Sequence, residues 1–223
     1  MKHYKSHYPY TLVEMKFFQT LTTPSKIQDH VNSLSFNFEK GGETCMSPRM
    51  VLQKGCAHCV EGALFAAAVL EFHGHKPLIL DLRSTSKPYD FDHVVAVFKQ
   101  FGYFGAISKT NHGVLRYREP IYKSLHELAL SYFHEYFLNT TGEKTLREYS
   151  RLLDLSRFDS LDWRTSPENL FEIPEYLDSI KHFPILSREQ IKNLRLADSV
   201  EIEAGKIVDF QQSKKKENKK AGK

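Results

Sequence analysis

Cys59-Val-Glu-Gly-Ala-Leu-Phe-Ala-Ala-Ala-Val-Leu-Glu-Phe-His73 is apolar or small at nearly every position, and Gly74 ends the run. Only Glu61 and Glu71 are clearly polar within it. A surface helix of a globular protein carries a polar stripe, so a helix almost without one is buried. Gly62, Ala63, Ala66, Ala67 and Ala68 keep its surface low enough for other backbones to approach, and Gly74 supplies a left-handed cap at its end. The segment predicts a buried central helix with Cys59 at its head.

Working upstream, Ser47-Pro48 is a helix start, with Ser as N-cap and Pro in the first turn, and Gly55 ends that short helix near Gln53. Thr11 to Leu21 and Pro24 to about Phe38 read as helices before the Gly41-Gly42 break. Downstream of Gly74 the period switches towards two. Pro77–Leu82 reads as a strand, and His93–Phe98 is apolar on both faces, as a strand inside a sheet is. Phe101-Gly102-Tyr103 forms a hairpin turn, Tyr103–Ser108 returns, Val114–Arg118 is a further strand, and Glu119-Pro120 ends the sheet. Ile121–Phe137 reads as an amphipathic helix, with Leu125, Leu128, Ala129, Tyr132, Phe133 and Tyr136 at helical spacing. Beyond Thr141 the expectations are a helix over Thr145–Leu153, an irregular stretch over 156–187, a short helix over Ser187–Leu196 and a terminal hairpin over Val200–Phe210. The fold class is α+β: helices flanking an antiparallel sheet. Residues 1–141 form the core, 142–212 a C-terminal wrap, and 213–223 a disordered Lys-rich tail.

The charge is distributed unevenly. The net charge is +4, yet the last eleven residues hold six Lys and one Glu, which leaves residues 1–212 at −1. The basic balance belongs to the tail, which argues against a dedicated nucleic-acid-binding domain. With 41% hydrophobic and 26% charged residues, the composition is that of a soluble globular protein. The opening MKHYKSHYPY has no apolar core of a signal peptide, and the longest apolar run, Ala63–Leu70, is far short of a membrane span. Three cysteines, Cys45, Cys56 and Cys59, do not make a disulfide framework, so the expectation is a cytoplasmic protein with free thiols.

A thiol at a helix N-terminus is poised for chemistry, because unpaired N–H groups and the helix dipole favour the thiolate. The imidazole that partners it must come from elsewhere in the fold. His93, at the leading end of a central strand, is the candidate. Asp92 is adjacent, but neighbours on a strand point to opposite faces, so it is not expected to help.

Cys59-Val-Glu-Gly-Ala63 with Gly74 fifteen residues after the Cys, then Asp92-His93-Val-Val-Ala-Val-Phe98 and Phe104-Gly-Ala-Ile-Ser108, resembles the core of transglutaminase-like proteins over roughly residues 45–120. Gln53-Lys-Gly-Cys56-Ala-His-Cys59 is similar to the segment around the nucleophile of the related papain-like cysteine proteases. The resemblance implies a papain/transglutaminase-like core, Cys59 as nucleophile, His93 as general base and acid, and Gln53 as oxyanion donor. It implies an acidic third member where this chain has Ser108, which can orient an imidazole but brings no negative charge. Asn111, three residues on, is the alternative orienting group. Val60 also departs from the aromatic of the proteases. The function implied is a cysteine hydrolase or acyl-transferase acting on a peptide or amide substrate, with no cofactor and no metal.

Three other classes fit parts of the pattern. Cys56-Ala-His-Cys59 resembles the dithiol of thioredoxin-fold oxidoreductases, although no βαβ pattern precedes it. Cys56, Cys59 and two of His58, His73, His75 and His93 would make a metal donor set, without a second C-x-x-C or an H-x₃₋₅-H pair. Ser108 is compatible with a fold kept for binding after catalysis is lost. His58, His73 and His75 read as surface or cap residues, and Cys56 as structural.

Overall fold

Each helix that precedes Cys59 begins at a side-chain cap. The computed structural model describes residues 9–208. Helix α1 (Leu12–Phe18) is capped by Thr11, whose side chain accepts from Glu14 N while the Glu14 carboxylate accepts from Thr11 N. Helix α2 (Pro24–Ser33) has Thr23 as N-cap and Pro in its first turn. Leu34 is extended, so the expected helix to Phe38 stops early and the chain enters β1 (Ser35–Phe36). Helix α3 (Pro48–Lys54) follows the Ser47 cap and ends on Gly55 at φ 67°, as the sequence predicts. Strand β2 (Cys56–Ala57) then pairs in parallel with β1.

Helix α4 (Cys59–Phe72) is the buried helix, with Glu61–Leu70 and Phe72 all inside, and Gly74 follows it at φ 91°. Strands β3 (Leu78–Ser84), β4 (His93–Gln100) and β5 (Tyr103–Ser108) form the centre of an antiparallel sheet. Phe101 and Gly102 both have positive φ (54° and 88°), the requirement of a tight hairpin turn between β4 and β5.

The next strand differs from expectation. Residues 114–117 are irregular, and β6 (Arg118–Tyr122) is the strand that pairs with β5, across a register shift. Pro120 lies within it because β6 is a sheet edge, where a missing N–H leaves no ladder bond unmade. Helix α5 is accordingly shorter than read, Leu125–Phe133, starting at the Ser124 cap.

After Thr141 the corrections are larger. Thr145–Leu153 is not a helix: β7 (Leu146–Ser150) and β8 (Leu153–Asp154) pair with β3, and tertiary pairing overrides local preference there. The stretch read as irregular contains a 3₁₀ turn over Leu155–Leu161, α6 (Glu172–Ser179) and β9 (His182–Pro184), which pairs with β7. Helix α7 spans Arg188–Lys192. The expected terminal hairpin is instead α8 (Ser199–Gly205), because Asp198 and Glu201 form a reciprocal capping box. Phe210 and the Lys-rich tail over 213–223 lie outside the described residues.

The sheet order is β6-β5-β4-β3-β7-β9, so segments after residue 142 complete the sheet that the first half begins. Both faces are covered. Val94, Ala96 and Phe98 of β4 pack with α4, while Val95 and Val97 pack with Leu128, Ala129 and Tyr132 of α5. That double cover explains why β4 reads as unbroken apolar sequence. Leu155, Phe158, Trp163, Leu170 and Ile173 close the other side of α4, so the later segment also completes that core. The architecture is α+β with a mostly antiparallel sheet, and a Cys-bearing helix is buried against it. Among the described residues no helix is long and apolar enough to cross a membrane.

Candidate active site

Cys59 is the first residue of α4 and is half-buried at the floor of a cleft of about 600 Å³. The cleft collects the ends of several elements: the segment after β1, the head of α4, His93 at the start of β4, the loop after β5 and the end of α5. Its apolar walls include Phe36, Phe38, Phe91 and Phe137.

His93 is buried and lines the same cleft as Cys59, whose thiol its charge and hydrogen bonding lower. Its other side is held by Ser108, with Nε2 2.7 Å from Oγ. The Ser108 hydroxyl has one proton, and it donates that proton to the carbonyl of Leu115. Oγ therefore accepts from His93, which places a proton on Nε2 and leaves Nδ1 as the nitrogen able to take one up. Sequence reasoning placed Ser108 at the third position, and the structure brings it to His93. Asn111 lines the same cleft, but the imidazole is taken by Ser108.

Gln53 is not brought to the site. It is exposed on the last turn of α3 and is not among the cleft-lining residues, because Gly55 and the β2 segment turn the chain before Cys59. The donors left at the sulfur are the backbone N–H groups at the head of α4, which have no partner within the helix. Asp92 turns away from His93, as expected, and accepts from Ser84 N at 2.7 Å.

Two residues that sequence reasoning missed set the geometry. Gln28 of α2 clamps the backbone of Ser108, accepting from its N–H at 2.9 Å and donating to its carbonyl at 2.8 Å. The sequence signal was a polar residue on a helix face otherwise turned inward by Ile27 and Val31. Leu115 holds a left-handed conformation (φ 60°), with its N–H on the Glu135 carboxylate at 2.8 Å and its carbonyl on Ser108. Strain of this kind at a non-glycine residue persists only where neighbours over-determine it.

Gly62 also matters, because a Cβ there would sit 2.3 Å from Lys109 Cβ, so glycine lets the chain after β5 cross the first turn of α4. Among the described residues the side chains that gather as potential metal ligands are the carboxylates of Asp81, Asp92 and Asp178, not the cysteines and histidines weighed in the sequence.

Burial pushes the Cys59 thiol up, but hydrogen bonds and charge from His58 and His93 outweigh it and hold the thiol at about 5, down from an ordinary 9.0. Cys56 has its thiol pushed up by burial and by Glu61. Cys45, buried, is raised to about 12. The three cysteines thus divide into one activated thiol and two that stay protonated. Neither a comparison with protein-family models nor a search of curated proteins yields a match.

Proposed function

We propose that the protein is a cysteine hydrolase or acyl-transferase acting on an amide bond (peptide, isopeptide or glutamine side chain), built on a papain/transglutaminase-like core. The observation that carries this reading is the thiol of Cys59, lowered at a helix head and facing an imidazole that is itself fixed by Ser108. Cys59 Sγ attacks the carbonyl carbon, and the C=O π electrons move to oxygen, where backbone N–H groups at the head of α4 stabilise the charge. His93 gives the proton that the thiol lost to the leaving nitrogen as the C–N bond breaks. It then takes a proton from water or an acceptor amine, whose attack on the thioester frees the sulfur. Ser108 acts as a neutral orienting member, as Asn does in papain-like enzymes. The Phe36, Phe38, Phe91 and Phe137 walls suit a substrate with apolar groups beside the scissile bond.

The test is acyl-enzyme trapping. The full chain is mixed with p-nitrophenyl acetate and with a panel of peptidyl aminocoumarin amides, quenched in acid and read by intact and peptide mass. The expected result is an acyl adduct on Cys59 that turns over, is absent in Cys59→Ser, survives Cys56→Ser, and turns over about 100-fold more slowly in His93→Ala. Turnover retained by Cys59→Ser, or no adduct with any ester or amide, overturns the reading.

A further inference from the structure

Ser108 leaves the His93 side of the site without a negative charge. A carboxylate does lie close by, within α4 and beside His58. His58 is the N-cap of α4 and only 15% of its side chain is exposed. Its Nε2 lies 2.9 Å from the Thr44 carbonyl, 3.5 Å from Glu61 Oε1 and 3.7 Å from Glu39 Oε1. Glu61 is fully buried, and four donors converge on it: Thr44 Oγ1 at 2.7 Å, Met46 N at 3.0 Å, Asn37 Nδ2 at 3.0 Å and His58 N at 3.0 Å. A carboxylate is an acceptor-only group that satisfies such a set. With Nε2 committed to Thr44, Nδ1 is turned onto the head of α4, where it accepts from Val60 N at 3.3 Å, next to Cys59 in the chain.

We propose that His58 is a second catalytic imidazole: held as the imidazolium beside Glu61 and the Cys59 sulfur, it supplies the positive charge that maintains the thiolate and leaves His93 free to move protons. The inference rests on Cys59 being the nucleophile. The proton on His58 comes from solvent and its charge is balanced by Glu61, while the Cys59 S–H bond breaks with its electrons left on sulfur and its proton passing to His93, so the four groups remain neutral overall. Glu61 is a positioning residue that acts through His58.

The arrangement has a cost that the geometry makes visible. Nδ1 lies 3.3 Å from Val60 N and caps the helix when unprotonated. Protonation ends that cap and puts a cation at the positive end of a helix dipole. The charged and titratable groups on its other sides favour the cation: Glu39 from the segment after β1, and Glu61 and Cys59 from α4. Lys109, the nearby cation lining the cleft, has its Nζ turned onto the Leu34 carbonyl. Burial alone would lower His58, but the Cys59 hydrogen bond and charge, with Glu61 and the Thr44 carbonyl, raise it to about 9. Its Glu partner stands at the capping-box spacing, His58-x-x-Glu61, which is the sequence signal for the pair.

The test is the pH dependence of Cys59 alkylation by iodoacetamide, resolved from Cys45 and Cys56 by peptide mass. Asn is a good N-cap without charge, so His58→Asn keeps the helix start. The wild-type rate is expected to rise with an inflection near 5. His58→Asn should move that inflection up by more than one unit, slowing alkylation at pH 6 about tenfold or more. His93→Ala should keep an inflection below 7 while losing acyl turnover. Glu61→Gln should shift the profile in the same direction as His58→Asn. An unshifted profile in His58→Asn, or an inflection returned to about 9 by His93→Ala alone, overturns the proposal. Failure of the wider functional reading shows separately, as absence of acylation by an alkylatable Cys59.

Discussion

Gly62→Ala tests how closely the site depends on one missing side chain. The added Cβ would stand 2.3 Å from Lys109 Cβ and 3.0 Å from its Cγ. Carbon atoms rest about 3.5–4.0 Å apart, so roughly 1 Å of separation is needed. No side-chain rotation can supply it, because Lys109 Cβ is fixed to a backbone whose Cα is already 3.7 Å away. The first turn of α4 must therefore move against the end of β5, which carries Ser108. Overpacking of this kind destabilises by about 1–3 kcal/mol. Ala is about 1 kcal/mol better than Gly inside a helix, which offsets part of that. The net loss is up to about 2 kcal/mol, a fall in Tm of up to roughly 8 °C for a domain of this size.

The effect on chemistry should be larger, since a displacement of about 1 Å at a reacting centre can lower a rate about 100-fold. Gly74→Ala is the control: it strains a position at φ +91° but meets nothing within 4 Å and lies at the other end of the helix. Thermal melts and acyl-turnover rates of the two variants separate the cases. A Gly62→Ala protein that matches the wild type in turnover, with an unchanged or higher Tm, would refute the close-approach argument.

Ser108→Ala leaves the His93 Nε2–H and the Leu115 carbonyl without partners in a buried setting, so it should destabilise by about 1–3 kcal/mol and lower kcat more than it raises KM; denaturant unfolding and steady-state kinetics check both. Gln53→Ala, at an exposed position outside the cleft, should leave turnover unchanged and stability within about 0.5 kcal/mol, whereas a large loss of kcat would restore Gln53 as an oxyanion donor. Stability should also depend on pH in a particular way. Cys59 is lowered from 9.0 to about 5, so its contribution is complete above 9 and lost as pH falls to 5. His58 is raised from 6.5 to about 9, so its contribution is complete below 6.5 and lost as pH rises through 9. The two slopes oppose each other between 6.5 and 9 and leave a net rise between 5 and 6.5. The stability difference between wild type and Cys59→Ser, from urea titrations at several pH values, should climb over that lower window, and a flat difference there would contradict the assigned shifts.

How much was legible follows from the range of each interaction. Capping signals act over three or four residues, so Thr11, Pro24, Ser47, Gly55 and Gly74 mark their helix ends in the sequence and in the structure alike. The residues after 142 were misread because their partners are distant: Leu146–Ser150 becomes a strand through pairing with β3, some 65 residues earlier, and nothing local announces it. Pro120 was taken as the end of the sheet because its edge position was not visible in one dimension.

The sequence by itself determined that a helix apolar all round begins at Cys59, and that an inner strand begins at His93, since both are statements about pattern and burial. Only the tertiary structure decided what those two residues meet. It turned Gln53 outward, clamped Ser108 with Gln28, gave the His93 proton a neutral acceptor, and set His58 within 3.5 Å of a buried carboxylate. Those outcomes depend on where segments tens of residues apart come to rest within a few ångströms, and hydrogen bonds, unlike hydrophobic periodicity, exist only once that distance is set.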